Sequence, residues 1–364
     1  MNIRQFTIGD LEQCLHDNSL WGGEIAPITK HRAQAQVRNP RADADDVALL
    51  VAYDGQQIVG YLGILPDRIY LGEGAQKIGW LTAWWAEPGP KYAALGLMLL
   101  MKALRAWDDN IGVSGFAISA RKFYDASKKF VLIKEPAGIV GVVRCVLADL
   151  APRKWPRLKP LIPALRLIDA AVNPFVMLRL RLWAGRRAPV VSRSLETIGE
   201  EVRRFISSHQ QNELTRRGPA EFEWIMQHPW VLTGPHASAT NRYYFSSMGR
   251  RFAFFCIEVR EHNGRLVGFL LLNLHDDSLS VPYCYCSPAD AANVAHVVAR
   301  HAITLKVSTI TTFNQNLLSG LRHIGFPFLY KQAAHRPWIV SAKFKDINFA
   351  SYALQDGEGD CAFT

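Results

Sequence analysis

The segment from Ala48 to Leu65 (ALLVAYDGQQIVGYLGIL) is two dense apolar runs parted by Asp54-Gly55, a pattern that predicts two strands joined by a turn. GWLTAWWA, Gly79 to Ala86, predicts a third strand, stopped by Pro88-Gly89-Pro90. Residues Lys91 to Trp107 are apolar nearly all round, which predicts a buried helix among the least exposed in the chain. A strand follows near Val113 to Ile118, then a helix through SARKFYDASKKF. The order recurs further on. FAFFCIEVREHNGRLVGFLLLNL (Phe252 to Leu274) repeats the strand–turn–strand pattern, and strand Leu279 to Cys286 meets a helix opening at Ser287-Pro288-Ala289-Asp290. Strand Leu305 to Phe313 then leads into Asn316 to Ile324. An offset of about 200 residues is too long for a solenoid and reads as a tandem duplication.

A strand that breaks into a helix start leaves backbone N–H groups unpaired at the positive end of the helix dipole, a site suited to a pyrophosphate. In the first copy this break lies between Ala86 and Gly96. Lys91-Tyr92-Ala93-Ala94-Leu95-Gly96 resembles the phosphate loop of the GNAT acyltransferases, Arg/Gln-x-x-Gly-x-Gly/Ala, with Lys91 at the basic position and Ala94 in place of the first glycine. Ala120, Tyr124 and Phe130 resemble that family's second motif, Ala-x-x-x-Tyr-x-x-x-Gly-Phe or close to it, with Lys129 where glycine is common. The resemblance implies two α/β domains of the α+β type, each a twisted, mostly antiparallel mixed sheet flanked by helices. It also implies acetyl-CoA or another acyl-CoA as co-substrate, bound by Trp85, Ala86 and Lys91 to Gly96, with Tyr124 protonating the departing thiolate. Glu87, just after the strand, is the candidate base, although an acid there is equally a helix-start feature. His275, Asp276 and Asp277 form a second polar cluster, which a solvated hairpin turn explains as well. Trp84 and Trp85 point to opposite faces of one strand, one toward the core and one toward a pocket.

The copies are not equivalent. The second has no glycine at its strand–helix junction, and matching Phe326 to Phe130 puts Gly320 where Tyr124 stands. It is expected to be a degenerate domain shaping the acceptor side. The expected division is 1–150 for the domain with the CoA-type turn, 151–189 for a linker, 190–345 for the degenerate domain and 346–364 for an acidic tail.

Charge alters this picture in one place. Residues 151–187 hold nine basic side chains (Arg153, Lys154, Arg157, Lys159, Arg166, Arg179, Arg181, Arg186, Arg187) against Asp169, a balance of +8 out of a formal +10 for the 364-residue chain. The bases alternate with large apolar residues including Trp155 and Trp183, and Pro163 and Pro174 are expected to divide the segment into two short helices. Three readings stand: peripheral docking on an anionic membrane, a structural linker with its arginines in water, and, least favoured, contact with nucleic acid. No uninterrupted apolar run approaches about 18 residues, and the start MNIRQFTIGDLEQ carries acids where an export signal needs apolar residues. Six scattered cysteines suggest a reducing, cytoplasmic setting, peripheral at the inner face of the membrane if the linker docks there. Cys284 and Cys286 share a strand face with no partner pair at zinc spacing, so they are expected to be packed thiols, and no metal is expected.

The expected activity is acyl transfer to the amine of a small-molecule or glycan acceptor, such as an amino sugar in polysaccharide biosynthesis. The alternatives are an aminoacyl-tRNA-dependent transferase of the Fem type and a catalytically inactive scaffold at the membrane surface.

Overall fold

A computed structural model describes residues 1–116, 118–185, 190–234 and 242–363. The chain opens with β1 (Asn2–Thr7), α1 (Ile8–Asp17), α2 (Lys30–Val37), β2 (Val47–Asp54), β3 (Gln57–Leu71) and β4 (Gly74–Ala86). It continues through α3 (Leu95–Ala106), β5 (Ile111–Ser114), α4 (Ile118–Ser127), β6 (Phe130–Lys134) and β7 (Ala137–Val142). The middle of the chain holds α5 (Leu147–Lys154), α6 (Ile162–Ala184), β8 (Val190–Ser194), α7 (Glu200–His209), α8 (Pro219–Gln227), β9 (Leu232–Thr233) and β10 (Met248–Gly249). Then come β11 (Phe252–Glu261), β12 (Leu266–His275), β13 (Ser278–Cys286), α9 (Ala291–Thr304), β14 (Thr309–Thr312), α10 (Gln315–His323), β15 (Tyr330–His335) and β16 (Trp338–Ser341).

Local chemistry explains the boundaries. Thr7 and Asp10 form a reciprocal capping box at the start of α1, and Thr29 and Asn314 cap α2 and α10. The turns β2–β3 and β3–β4 carry Gly55 and Gly72 at φ +62° and +66°, where a side chain would be strained. Pro66 lies in β3 beyond the last β2 pair at Gly63, so its missing N–H costs no ladder bond there.

The chain forms two compact units. The first comprises 1–136, 197–252 and 336–364, the second 137–196 and 253–335. The continuous ranges read from the sequence are therefore replaced by interleaved ones. The first sheet has the order β1-β2-β3-β4-β5-β16-β6, and the second β15-β7-β14-β13-β12-β11-β8. Both are antiparallel except where β4 meets β5 and β13 meets β14. The expected class, two mixed sheets flanked by helices, is what the structure has. Each sheet also takes in a strand from far along the chain: β16 lies between β5 and β6, and β7 between β14 and β15.

In the first unit one sheet face buries Leu50, Leu62, Ile64 and Leu81 against Leu99, Leu100 and Leu104 of α3. The other face packs Leu49, Val51 and Tyr61 with Leu11 of α1 and Ala33 of α2. In the second, Leu270, Leu272 and Val281 pack with α9 and with Leu180 and Trp183 of α6.

Three expectations need correction here. The apolar helix begins at Leu95, because Pro90–Tyr92 is a separate 3₁₀ turn, and it is not among the least exposed: Leu97 and Met98 are 45% and 44% accessible. The basic segment is not two short helices. Pro163 occupies the first turn of α6, where its N–H would be unpaired anyway, and Pro174 is accommodated within one 23-residue helix. Arg186, Arg187 and the Arg153 side chain lie outside the described residues. The third correction is the acidic tail, which is folded in: Glu358, Ala362 and Phe363 are fully buried in the first unit.

A buried ionic cluster fixes that tail. Asp67 of β3 accepts from Arg41 at 2.7 Å and from Arg217 at 2.9 Å, and Arg217 also donates to the Gly359 carbonyl at 3.0 Å. Burial opposes ionisation of Asp67, but the two guanidinium groups hold its carboxyl below the usual range.

Candidate active site

The site in the first unit originates in a failure of two strands to stay together. β4 and β5 pair over three residues only, Gly79 to Leu81 against Ile111 to Val113. In the same region the β3–β4 ladder slips: Gly63 opposes Thr82 but Tyr61 opposes Trp85, so β4 carries an extra residue. Ala83 in that bulge has φ +36°. Gly63 is required opposite it, since a Cβ there would stand 2.5 Å from the Thr82 hydroxyl. A bulge bends and twists its strand, and β4 continues from Thr82 to Ala86 with no neighbour on its β5 side among the described residues. Its backbone is open there to an extended ligand, which would pair with it as a further strand does.

The open edge runs out at Pro88-Gly89-Pro90 and the start of α3. The backbone N–H groups of Ala94, Leu95, Gly96 and Leu97 donate to no protein acceptor among the described residues, and no side chain caps the helix. Lys91 is drawn aside. Its ammonium pairs with Asp54, which also accepts from the Tyr92 hydroxyl at 2.8 Å. Lys91 is 70% exposed, so exchanging that partner for another anion costs little. The Trp84 ring lies beneath Gly96, at ordinary contact distance from where a Cβ would be.

Tyr124 of α4 is enclosed by Phe116, Phe130, Phe123 and Trp84, with ring centroids 5.0 to 6.0 Å away. Burial raises the phenol pKa, keeping the O–H protonated. That hydroxyl has no hydrogen-bond partner among the described residues.

Trp85 points to the other face of the sheet and stacks on Tyr244 at 4.2 Å. Trp84 therefore lies with the α3 turn and Trp85 with the cluster of Tyr61, Tyr243, Tyr244 and Phe245. Ala86 ends β4, and Glu87 is half-buried just after it, its N–H donating to the Val59 carbonyl at 2.8 Å.

Sequence reading missed Asp360. It sits on the short turn Gly359–Ala362 and accepts from the Ser114 hydroxyl at 3.2 Å, at the end of β5. Burial raises its carboxyl pKa to about 6, against the pull of Arg32 and of Ser114. It also acts electrostatically on Tyr124 and Tyr243. No local motif marks it, because only the inward path of the tail brings it here. Together the bulged strand, the free amides, a neutral phenol and a carboxyl near neutrality can hold an extended anionic ligand, donate one proton and accept another.

The second unit has the same frame with its opening filled. β13 leaves β14 after Ser280, and the β12–β13 ladder slips between Leu271 and Asn273. Here Asn314 and Asn316 donate to the carbonyls of Cys284 and Cys286 at 3.3 and 3.0 Å. At the start of α9, Asp290 brings its own carboxylate, bonded to Ser287 at 2.7 Å and paired with Arg265 at 3.0 Å. His275, Asp276 and Asp277 lie at the β12–β13 turn, at the opposite end of β13 from this opening. Cys284 and Cys286 are buried free thiols, and no group of metal-binding side chains occurs among the described residues.

No protein-family sequence model and no curated protein sequence matches the chain. Solved structures do. Saccharomyces cerevisiae N-myristoyltransferase with bound myristoyl-CoA and inhibitors aligns over 93% of this chain and 80% of its own at 11% identity, with a TM-score of 0.51. A conserved Enterococcus faecalis V583 protein described as a probable N-acyltransferase covers 93% and 72% at 10% identity, with a TM-score of 0.49. A GCN5-related N-acetyltransferase from Anabaena variabilis ATCC 29413 covers 93% and 72% at 11% identity, with a TM-score of 0.46. Of these, the first shows that the chain shares the fold of that N-myristoyltransferase.

Proposed function

We propose that the first unit is an acyl-CoA-dependent N-acyltransferase, passing an acyl group from the thioester to the amine of an acceptor. The observation that carries this reading is the open edge of β4 running into four unpartnered amides at the start of α3. A pantetheine-like chain would pair with β4 while its pyrophosphate meets Ala94 to Leu97. Tyr124 would protonate the leaving thiolate and Asp360 would take the proton of the amine. The acceptor is proposed to be a small-molecule or glycan amine, such as an amino sugar in polysaccharide assembly. The second unit, its opening filled by Asn314, Asn316 and Asp290, serves as a degenerate partner. Calorimetry with CoA and acetyl-CoA tests the reading, with Gly96→Asp setting a carboxylate against the phosphates. Saturable binding lost in the variant is expected. No heat at millimolar ligand would leave the tRNA-dependent transferase or the inactive scaffold, and co-purifying tRNA would separate those two.

A second feature supports a place of work. Pro156–Ala184 is long and apolar enough to cross a membrane by length and composition. Only Val176, Leu180 and Trp183 of α6 are buried, while Leu167, Phe175, Leu178 and Leu182 are 57% to 75% exposed. Apolar exposure on that scale marks an interaction surface, and Arg166, Arg179 and Arg181 on the same helix select an anionic one. We read it as lying in the headgroup layer of an anionic membrane. Sedimentation with anionic but not neutral vesicles, reversed by salt and abolished by Phe175→Glu with Leu182→Glu, is expected. Equal recovery with both vesicle types would remove the membrane role, and resistance to alkaline carbonate would make the helix an integral anchor instead.

A further inference from the structure

Under the bulge of β4, on the α2 side of the first sheet, is a small, partly open pocket with room for about one water-sized group. Arg32 and Gln36, one turn apart on α2, line it together with Trp230, Tyr243, Thr82 and Ala83. Four of these carry a buried polar atom with no partner among the described residues: Arg32 Nε, Gln36 Oε1, Trp230 Nε1 and the Tyr243 hydroxyl. Natural interiors leave few such groups, and four around one cavity call for a ligand. Arg32 is 4% exposed and makes no ion pair among the described residues. Its Nη2 donates to the Ser246 carbonyl at 2.6 Å, and its guanidinium lies over the Trp230 and Tyr243 rings at 4.8 and 5.2 Å. The rings offset part of the cost of burying the charge but supply no counter-charge. Asp360 is near enough to feel Arg32 without bonding to it. Gln36 Nε2 donates to the Ile64 carbonyl at 3.2 Å, which fixes Oε1 as the free acceptor.

We propose that this cavity is the acceptor's carboxylate subsite. A buried cation with three unsatisfied donors matches one oxygen of a carboxylate, and Gln36 Oε1 matches an N–H or O–H beside it. With one oxygen seated, the planar remainder of a carboxylate asks less of the pocket mouth than the three further oxygens of a phosphate. Because Thr82 and Ala83 belong both to the cavity wall and to the open stretch of β4, an amine carried next to that carboxylate reaches the strand edge where the thioester would lie. The acceptor class is then an amine that also bears a carboxylate, as an amino acid or an amino-sugar acid does. This rests on the acyl-transfer reading for its role, but the subsite is testable without it.

The full chain, with no acyl-CoA present, is titrated with formate, acetate and inorganic phosphate at constant ionic strength, following melting temperature and tryptophan fluorescence. Saturable stabilisation by formate and acetate is expected, weakened about tenfold or more in Tyr243→Phe, which removes one donor with little change of shape. Arg32→Gln is expected to abolish it, and Tyr243→Phe carries the test if that variant does not fold. No saturable effect, an effect unchanged in Tyr243→Phe, or equal binding of phosphate would overturn the proposal and leave a water-filled cavity. In a second arm, glycine is compared with glycinamide as acyl acceptor. Preference for glycine supports the role, and equal use of both overturns it. If neither is acylated while carboxylates still bind, the subsite stands and the acyl-transfer reading is what fails.

Discussion

Tyr124 and Asp360 illustrate how burial sets chemistry at single residues. The aromatic wall around Tyr124 denies its phenolate a solvent, so the side chain stays an O–H donor. Tyr124→Phe is expected to lower kcat roughly 10²-fold while KM for acyl-CoA stays nearly constant, since the bond to sulfur forms in the transition state. Steady-state kinetics with purified protein check this, and unchanged turnover would reduce Tyr124 to packing. Asp360, with its carboxyl at about 6, should give kcat/KM an acid limb near that pH. Asp360→Asn is expected to lose that limb together with roughly 10²-fold in rate. A limb persisting in the variant would assign the base elsewhere, Glu87 first. Tyr124 is singled out in the sequence by a family resemblance that also takes in Ala120 and Phe130. Asp360 is not, because its segment has the composition of a solvated tail and only its path through the fold brings it to Ser114.

Among elements, β4 and the 355–363 segment carry the most information. Strand, turn and helix from Gly79 onward were legible as alternation broken by prolines. The bulge at Ala83 was not, because it exists only in the register between two strands and leaves no trace in either one alone. The same limit applied to α6: Pro174 reads as a break, but a helix whose apolar side faces outward has slack to absorb one lost hydrogen bond. The tail supplies a test of pH dependence. Burial pushes the Glu358 carboxyl up to about 7, against an ordinary value of 4.5. The folded form therefore keeps a proton that the unfolded chain releases, and stability falls as pH rises from 4.5 to 7. Urea unfolding between pH 5 and 8 should show a loss on the order of 3 kcal/mol from this group, which disappears in Glu358→Gln while the smaller loss due to Asp360 stays. Asp67 behaves oppositely: its depressed carboxyl contributes stability above the usual carboxylate range, which is lost as pH falls through its folded value. Asp67→Asn leaves Arg41 and Arg217 facing each other, with an expected cost of about 3 to 5 kcal/mol in the same assay at pH 7.

For the whole molecule, the order of strands and helices pointed to two mixed sheets flanked by helices, which the chain has. It could not reveal the exchange of β7 and β16, since a strand of four or six residues records nothing of which sheet receives it. The exchange predicts that a chain cut after Pro136 will not fold as an independent domain: its sheet would lack β16, and β5 and β6 would each expose a bare edge. Expressed alone, residues 1–136 are expected to lack the cooperative melt of the full chain. Supplying 197–252 and 336–364 on a second polypeptide is the measurement that separates a missing strand from a missing core.

The exchanged strand also has a meaning in time. A ribosome delivers β5 and β6 early and β16 only after the whole of the second unit has emerged, so the first sheet waits with one strand missing through most of synthesis. During that wait the gap between β5 and β6 is a template for any passing strand, including the β16 of a neighbouring nascent chain. Translation speed and the order of emergence are thus part of what this sequence must satisfy, and a second copy on the same message is the nearest competitor for its own last strand.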